Sequence, residues 1–394
     1  MDLLDEIFTK ATTNPKIFRN RDTLRSDYIP NKLPFREQQL TSLAQTLSPL
    51  LQGFRSSNLL LYGKTGTGKT VAAKYVINKL IERAQGQGIQ IHLAYCNTRI
   101  AGTEYRILYE LGREIGSNIP FTGLALSEAS DRLLRKITTL GLKTVLVLDE
   151  VDFMVKDTND NLLYELSRAN ERLNAGFITL VGISNDLQFK EFLDPRVLSS
   201  LSEEEIVFQP YTAEELKVIL KSRVNEAFQE NVMDDAAINL CAALAGMEHG
   251  DARRAVDTLR VAGEVVEREG ECRVEEKHIR LAVQKIEQDR MAEALKSLPA
   301  HEKILILGIL SIGETNSTGR VYEEYRRLCE KIGIEALTQR RISGILGELD
   351  LLGVITSNVV SHGRYGRTKK ITPLISNQLT KTIFKEDPIT NTLL

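Results

Sequence analysis

From about residue 58 to 208, short runs of aliphatic, often β-branched side chains alternate with amphipathic stretches, a pattern that predicts an α/β domain with a parallel sheet. The strand candidates are NLLLYG (58–63), IQIHLAYC (89–96), KTVLVLD (143–149) and FITLVGIS (177–184). Between the second and third lie two helical stretches, TEYRILYELGREIG and SEASDRLLRKITTL, more than a single crossover needs. After Tyr211 the strand pattern vanishes. TAEELKVILKSRVNEAF and GDARRAVDTLRVAGEVVERE carry helical periodicity and predict a separate all-helical domain. MAEALKSLPAHEK reads as a helix ending in a linker. Three more helical stretches follow, HEKILILGILSIG, TGRVYEEYRRLCEKI and TQRRISGILGELDLLG, and in the last Ile342, Ile345, Leu346 and Leu349 share one face. Two strand-like runs, VITSNVVSH and RTKKITP, joined by a glycine-containing turn, complete the pattern of a winged helix-turn-helix.

Composition changes this picture in one place. The chain has 394 residues, 42% hydrophobic and 26% charged, with a mean hydropathy of -0.18, and suits a soluble protein of two or three domains. A net charge of -2 and a pI near 6.3 argue against indiscriminate coating of polyanions, so any nucleic-acid affinity is expected from local patches. One such patch is evident: between Asp350 and Glu386 there is no acidic residue, while Arg364, Arg367, Lys369, Lys370, Lys381 and Lys385 all fall there. Cys96, Cys241, Cys272 and Cys329 lie far apart without CxxC spacing, which fits neither a zinc site nor a disulfide framework. The acidic start MDLLDEIF is unlike a signal peptide, and the longest apolar runs, such as ILILGIL, are far short of a membrane span. A cytoplasmic, nucleoid-associated protein without membrane contact is expected.

GKTGTGKT at 63–70 follows a strand and opens a helix, the context that a G-x-x-x-x-G-K-T phosphate loop requires. Its glycines let the backbone wrap closely, and successive N–H groups at a helix N-terminus hold phosphate oxygens. Gly63, Lys64, Thr65, Gly66, Thr67, Gly68, Lys69, Thr70 and the following Val71 are therefore the candidate contacts to ATP or ADP, with Lys69 reaching the β- and γ-phosphates. The Thr70 hydroxyl and Asp149, at the end of TVLVLDE, are the candidate Mg²⁺ holders, and Glu150 is the candidate base for an attacking water. Asn185 ends the next strand, where its amide can polarise that water, and Arg196 and Arg253 can each bring a guanidinium to the γ-phosphate.

The succession YGKTGTGKT, LVLDEVD, VGISND, LDPRVLSSL, FQPYTAEEL and GDARRAVD resembles AAA+ ATPases of the origin-recognition class. IFRNRDTLRSDYIPNKLPFREQQL and HGRYGRTKKI are similar to the archaeal ORC-type replication initiators within it, so the resemblance spans about Ile17 to Leu374. It implies that Asn185 is sensor 1, Arg196 the arginine finger and Arg253 sensor 2. It also implies that Tyr28 to Arg36, including Pro30, lie against the adenine, and that Tyr211 and Arg223 join the nucleotide site. The extra helices before Asp149 correspond to an initiator-specific insertion that touches DNA, with Arg99 and Arg106 as contacts; Glu104 departs from the proline of many relatives. The implied domains are an AAA+ P-loop base over 1–209, a helical lid over 210–296 and a winged helix over 297–394.

In the winged helix, Gln339, Arg340 and Arg341 crowd the N-terminal end of the third helix, the end that enters a major groove. The hairpin tip HGRYGR presents Arg364, Tyr365 and Arg367, followed by Lys369, as a wing for a narrow minor groove or the backbone. The function expected is that of an ATP-controlled binder of duplex origin DNA that helps recruit the replicative helicase, acting with initiator paralogues and with slow hydrolysis as a switch. Transcription regulators and clamp-loading AAA+ enzymes are the rivals that the arginine of GDARR and the basic C-terminal unit disfavour.

Overall fold

Five strands, β1 (Asn58–Tyr62), β2 (Ile91–Asn97), β3 (Lys143–Asp149), β4 (Phe177–Ser184) and β5 (Glu203–Val207), form a wholly parallel sheet in the order β2-β3-β4-β1-β5. The computed structural model describes residues 4–5, 16–157, 160–201, 203–313, 316–361 and 367–393. The three central strands β1, β3 and β4 bury both faces, as a parallel sheet between helices must. Leu59 and Leu61 of β1 face one side with Val145, Val147, Val181 and Ile183, under helices α1 (Glu37–Leu47) and α2 (Lys69–Gly86). Leu60, Leu146, Leu148 and Leu180 face the other side, where they meet α3 (Glu104–Glu114), α4 (Leu126–Leu140), α5 (Val151–Asp157), α6 (Asn161–Ser167) and α7 (Pro195–Leu201). The two extra helical stretches expected before β3 are α3 and α4, which close this second face with Ile107, Leu108, Leu111, Leu133 and Ile137.

β5 was not among the strand candidates. Its sequence EEEIV carries one buried residue, Ile206, and three glutamates, so it lacks the apolar run of its neighbours. It forms because β1 offers a free edge: residues 203–207 pair with 58–62 in continuous register. An edge strand tolerates charge on its open side. The buried Asn58 amide secures the same edge, donating to Leu201 O at 2.6 Å and accepting from Leu180 N at 3.0 Å.

The lid follows as α8 (Ala213–Ala227), α9 (Asp235–Met247) and α10 (Ala252–Glu269). α8 opens with a complete capping box between Thr212 and Glu215, the [ST]-x-x-E signature of a helix start. The segment after residue 16 belongs to this layer: Arg19 N donates to Ala227 O, Gln229 N donates to Ile17 O, and Phe18 stacks on Phe228 with centroids 4.9 Å apart. The chain divides into two compact units, Met1–Ala282 and Val283–Leu394, the division falling within helix α11 (Glu276–Ser297).

The second unit contains α12 (Ala300–Ile312), α13 (Thr318–Ile332) and α14 (Gln339–Leu351), then the hairpin β7 (Ile355–Ser361) and β8 (Arg367–Pro373), with the short β6 (Asn316–Ser317) beside β8. Ile342, Ile345, Leu346 and Leu349 of α14 are buried against Tyr325, Ile304 and Ile371. A final helix, α15 (Asn377–Phe384), covers this core with Ile383 and Phe384. The expected three helices and hairpin are therefore a winged helix. Among the described residues no helix is long and apolar enough to cross a membrane.

Replacing Asn58 with alanine leaves a buried carbonyl and a buried N–H without partners. The expected loss is about 3 kcal/mol in denaturant titration; a change under about 0.5 kcal/mol would show that β1 is held by strand pairing alone.

Candidate nucleotide site and nucleic-acid face

The sheet order decides which strand ends meet. β4 lies between β3 and β1, so the loop after β1, the acidic end of β3 and Asn185 after β4 converge at one edge. Lys69 is 4% exposed, and its ammonium donates to Gly63 O (2.7 Å), Lys64 O (2.8 Å) and Asn185 Oδ1 (2.9 Å). Burial lowers its pKa to about 8, partly opposed by Asp149, Asp152 and Asp251. Asn185 is itself held through its N–H, which donates to Asp152 Oδ1 at 3.1 Å. Thr70 Oγ1 donates to Asp149 Oδ2 at 2.9 Å, and Tyr95 Oη donates to the same oxygen at 2.8 Å.

Glu150 has a left-handed backbone, φ +56, a conformation that costs a β-carbon residue on the order of 1 kcal/mol. Two bonds hold it there: its N–H donates to Asp149 Oδ1 at 3.0 Å, and Thr98 Oγ1 donates to its carbonyl at 2.6 Å. The carboxylate is turned toward β2, where Asn97 Nδ2 donates to it at 3.3 Å and the Arg99 guanidinium lies 3.7 Å away. Arg99, singled out in the sequence for DNA, is thus also an ion-pair partner of Glu150. Arg106 lies on α3 with its guanidinium 4.0 Å from the centroid of the Phe121 ring.

The lid rests on the phosphate loop. Ala252 N donates to Gly66 O at 3.2 Å, and a β-carbon on Gly66 (φ +74) would fall 1.8 Å from Asp251 Oδ1. Gly68 (φ +92) similarly admits the Tyr211 hydroxyl at 3.0 Å from the same imaginary position. Arg36 ties these parts together: its Nε donates to Thr67 O (3.0 Å), its Nη2 to Gln209 O (2.6 Å), and its guanidinium lies 3.7 Å from the Tyr211 ring centroid. Burial lowers the Arg36 pKa. Tyr28 meets the lid through Glu226, to which its hydroxyl donates at 2.9 Å, and through Arg223, whose guanidinium is 4.7 Å from the ring centroid. Pro30 is buried beside this segment. Arg253, exposed at the start of α10, lies close enough to Lys69 to disfavour its charge.

Arg196 stands apart from this cluster. Its side chain is 80% exposed, and its guanidinium forks onto Asp194 of the same turn at 3.0 and 3.1 Å.

The residues present fit a nucleotide triphosphate with its divalent ion. A buried ammonium held by neutral oxygens suits an anion, a hydroxyl and a carboxylate stand together where a hard cation needs oxygen donors, and the buried Arg223 Nη1 has no hydrogen-bond partner among the described residues. Lys64, Thr65, Thr67 and Val71 line the same loop and helix start, Lys64 and Thr65 exposed and Thr67 buried. Sequence reasoning missed Tyr95, Asn97, Asp152 and Asp251. The signal available was the pair of polar residues at alternate positions of AYCN, which places both on one face of β2.

A second cluster of potential ligands, Glu269, Glu271 and the buried His278, lies at the end of the lid. His278 Nδ1 accepts from Glu275 N at 3.0 Å, so the neutral ring carries its proton on Nε2, which faces Glu271 Oε2 at 3.2 Å. In that tautomer the ring is a donor rather than a metal ligand.

In the winged helix, Thr338 caps α14 by accepting from Arg341 N. Gln339, Arg340 and Arg341 are all exposed in the first turn, and Arg341 pairs with Glu348 at 3.6 Å. Lys369 is half-buried on β8. Arg364 and Tyr365 lie outside the described residues; Arg367 begins β8, and its side chain is likewise undescribed.

A phosphate loop, an acidic strand end, an asparagine on the intervening strand and a docked helical lid define an AAA+ protein, here joined to a winged helix. Three family models agree: an AAA domain over residues 52–189, a Cdc6 AAA+ ATPase-type lid domain over 217–284 and a CDC6 C-terminal winged helix domain over 293–381. The chain is 46% identical over 401 residues to the ORC1-type DNA replication protein of Thermococcus kodakarensis, covering 100% of this chain and 97% of that one. It is 47% identical over 390 residues to ORC1-type DNA replication protein 1 of Sulfurisphaera tokodaii, covering 98% and 97%. It also resembles the solved structure of the Aeropyrum pernix ORC1 protein in complex with DNA, with a TM-score of 0.87, 45% identity and coverage of 96% of this chain and 99% of that one. The chain belongs to the ORC1-type DNA replication proteins, the family that these relatives share.

If Arg36 is the strut between the phosphate loop and the lid strap, Arg36→Lys keeps a charge but cannot fork across Thr67 O and Gln209 O. Hydrogen exchange at residues 63–70 and 208–212 is expected to accelerate together by about tenfold or more, the loss of one charge-assisted bond. Unchanged protection in both segments would remove Arg36 from that role.

Proposed function

We propose that this protein is an ATP-controlled initiator that binds duplex DNA at a replication origin and helps recruit the replicative helicase. The observation that carries the reading is the union in one chain of a complete phosphate site with a winged helix whose third helix exposes Gln339 and Arg340 at its N-terminus. The relative solved in complex with DNA supports DNA as the ligand. Origin DNA is proposed to meet three surfaces: the first turn of α14, with Arg341 beside Gln339 and Arg340; the wing, with Arg364, Tyr365, Arg367 and Lys369; and the insertion, with Arg99 and Arg106.

ATP or ADP is proposed to bind with its phosphates along Gly63 to Val71 and Lys69, its Mg²⁺ held by Thr70 and Asp149. Tyr28, Pro30, Arg36, Tyr211 and Arg223 form the base side. The ion supplies charge neutralisation for the phosphates; the protein supplies orientation. Glu150 takes a proton from the attacking water, Asn185 orients that water, and Arg253 senses the γ-phosphate from the lid. Glu150 accepts from Asn97 and faces Arg99, and hydrolysis is proposed to be slow, as suits a switch. Arg196, exposed and ion-paired with Asp194, suits a finger offered to the nucleotide of a neighbouring initiator, whether a second copy or a paralogue.

Glu150→Gln retains the hydrogen bond from Asn97 but cannot accept a proton, so ATP binding is expected to persist while steady-state turnover falls by about a hundredfold or more. Wild-type turnover in this variant would exclude Glu150 as the base.

DNA binding is tested by salt titration on a duplex that the protein occupies on its own chromosome and on a random duplex. Arg364→Ala/Arg367→Ala is expected to weaken both and to flatten the slope of log K against log salt by roughly 0.9 for each lost phosphate contact. Gln339→Ala/Arg340→Ala is expected instead to erase preference between the two duplexes. Affinities and slopes equal to wild type in both variants would overturn the winged helix as the reading head.

A further inference from the structure

We infer that Tyr95 is a positioning residue for the metal-holding carboxylate, fixing Asp149 in the one orientation in which it faces Thr70; the inference rests on the assignment of Asp149 and Thr70 to the Mg²⁺ of a bound nucleotide. β2 is an edge strand whose register places Asn97 opposite Asp149 and Tyr95 opposite Val147. Residues 95 and 97 share one face of that strand, since side chains alternate. Each reaches across to one member of the acidic pair: Asn97 to Glu150 and Tyr95 to Asp149.

The Asp149 side chain is pinned at three points. Oδ2 accepts from Tyr95 Oη at 2.8 Å and from Thr70 Oγ1 at 2.9 Å, and Oδ1 accepts from Glu150 N at 3.0 Å. The terminal torsion of an aspartate is otherwise broad, so an unpinned carboxylate samples many planes. The Thr70 bond comes from the phosphate-loop helix, whose hydroxyl oxygen must also serve the cation through a lone pair. The Tyr95 bond comes from the neighbouring strand β2 and is independent of that helix. The tyrosine is also held at its ring: Lys74 of α2 places its ammonium 4.2 Å from the ring centroid, so the hydroxyl is clamped between the edge strand and the phosphate-loop helix. A phenol keeps its proton at neutral pH, so the hydroxyl is the donor in this bond.

A buried tyrosine that merely satisfies its hydroxyl would show the same distance. The two roles separate on metal dependence. Binding of a fluorescent ADP is measured against Mg²⁺ concentration and in EDTA for wild type, Tyr95→Phe, Asp149→Asn and the double variant. Tyr95→Phe retains the ring and its contact with Lys74, so EDTA-state affinity is expected within about twofold of wild type. The Mg²⁺ midpoint is expected to rise by about tenfold, the usual scale for losing an outer partner of a metal ligand. The double variant is expected to match Asp149→Asn, since Tyr95 then has nothing to orient. An unmoved midpoint in Tyr95→Phe, with Asp149→Asn shifted, overturns the role of Tyr95 and leaves the metal assignment standing. An unmoved midpoint in Asp149→Asn overturns the metal assignment and this inference with it. Equal losses with and without Mg²⁺ in Tyr95→Phe would mean that the hydroxyl only supports the fold.

Discussion

Burying the Lys69 ammonium is the constraint on which the nucleotide-binding half of the molecule depends. A charge taken out of water must be met by oxygen acceptors, and here three of them come from two segments more than a hundred residues apart: the carbonyls of Gly63 and Lys64 and the amide of Asn185. Only a sheet in which β4 is inserted between β3 and β1 can deliver that set. The same insertion brings Asp149 to Thr70 and Asp152 to the Asn185 backbone. The acceptors around Lys69 are neutral, and its depressed pKa reflects a cation that is desolvated but not neutralised. A phosphate anion is the partner that such a group lacks.

The second buried cation, Arg36, works on a different joint. A planar fork can satisfy two carbonyls at once, and Arg36 uses this to join Thr67 of the phosphate loop to Gln209 of the strap leading into the lid while stacking on Tyr211. Gly66 and Gly68 matter for the same joint. Their missing side chains leave room for Asp251 and the Tyr211 hydroxyl, so these glycines serve lid docking. Loop geometry and lid position are therefore one mechanical unit.

The acidic pair shows how an unusual backbone geometry is held. Glu150 occupies a left-handed conformation that a β-carbon residue adopts at a cost, and two hydrogen bonds to Asp149 and Thr98 offset that cost. Its carboxylate is held by Asn97 and approached by Arg99, a residue of the insertion. A side chain chosen in the sequence for its charge toward DNA thus sits within ion-pair distance of Glu150, the carboxylate proposed as the base. In the winged helix the arrangement is simpler: an apolar face on α14 buries Ile342, Ile345, Leu346 and Leu349, and this alone turns Gln339 and Arg340 outward.

Much of this was legible in the residues. Strands with both faces buried announce themselves as unbroken apolar runs, and β1, β3 and β4 were readable for that reason; the helices of the lid and of the winged helix follow from a period near 3.6 and from caps such as Thr212 with Glu215. GKTGTGKT was readable as a phosphate loop because such a loop needs glycine at set intervals between a strand and a helix, and it does join β1 to α2. What escaped were features whose cause lies across the chain. β5 has no apolar run and exists because β1 has a free edge; α15 was overlooked because a short amphipathic segment declares itself only against the core it covers. Tyr95 and Asn97 gained a role from strand register, Arg36 from carbonyls at Thr67 and Gln209, and Asp251 from the absence of a β-carbon at Gly66. The sequence by itself determined which groups can do chemistry, since that is a property of residue type and local spacing. Which of them meet, and which hold the others in place, was decided only by the tertiary structure, because hydrogen bonds of about 3 Å depend on strand order and register that no local pattern encodes.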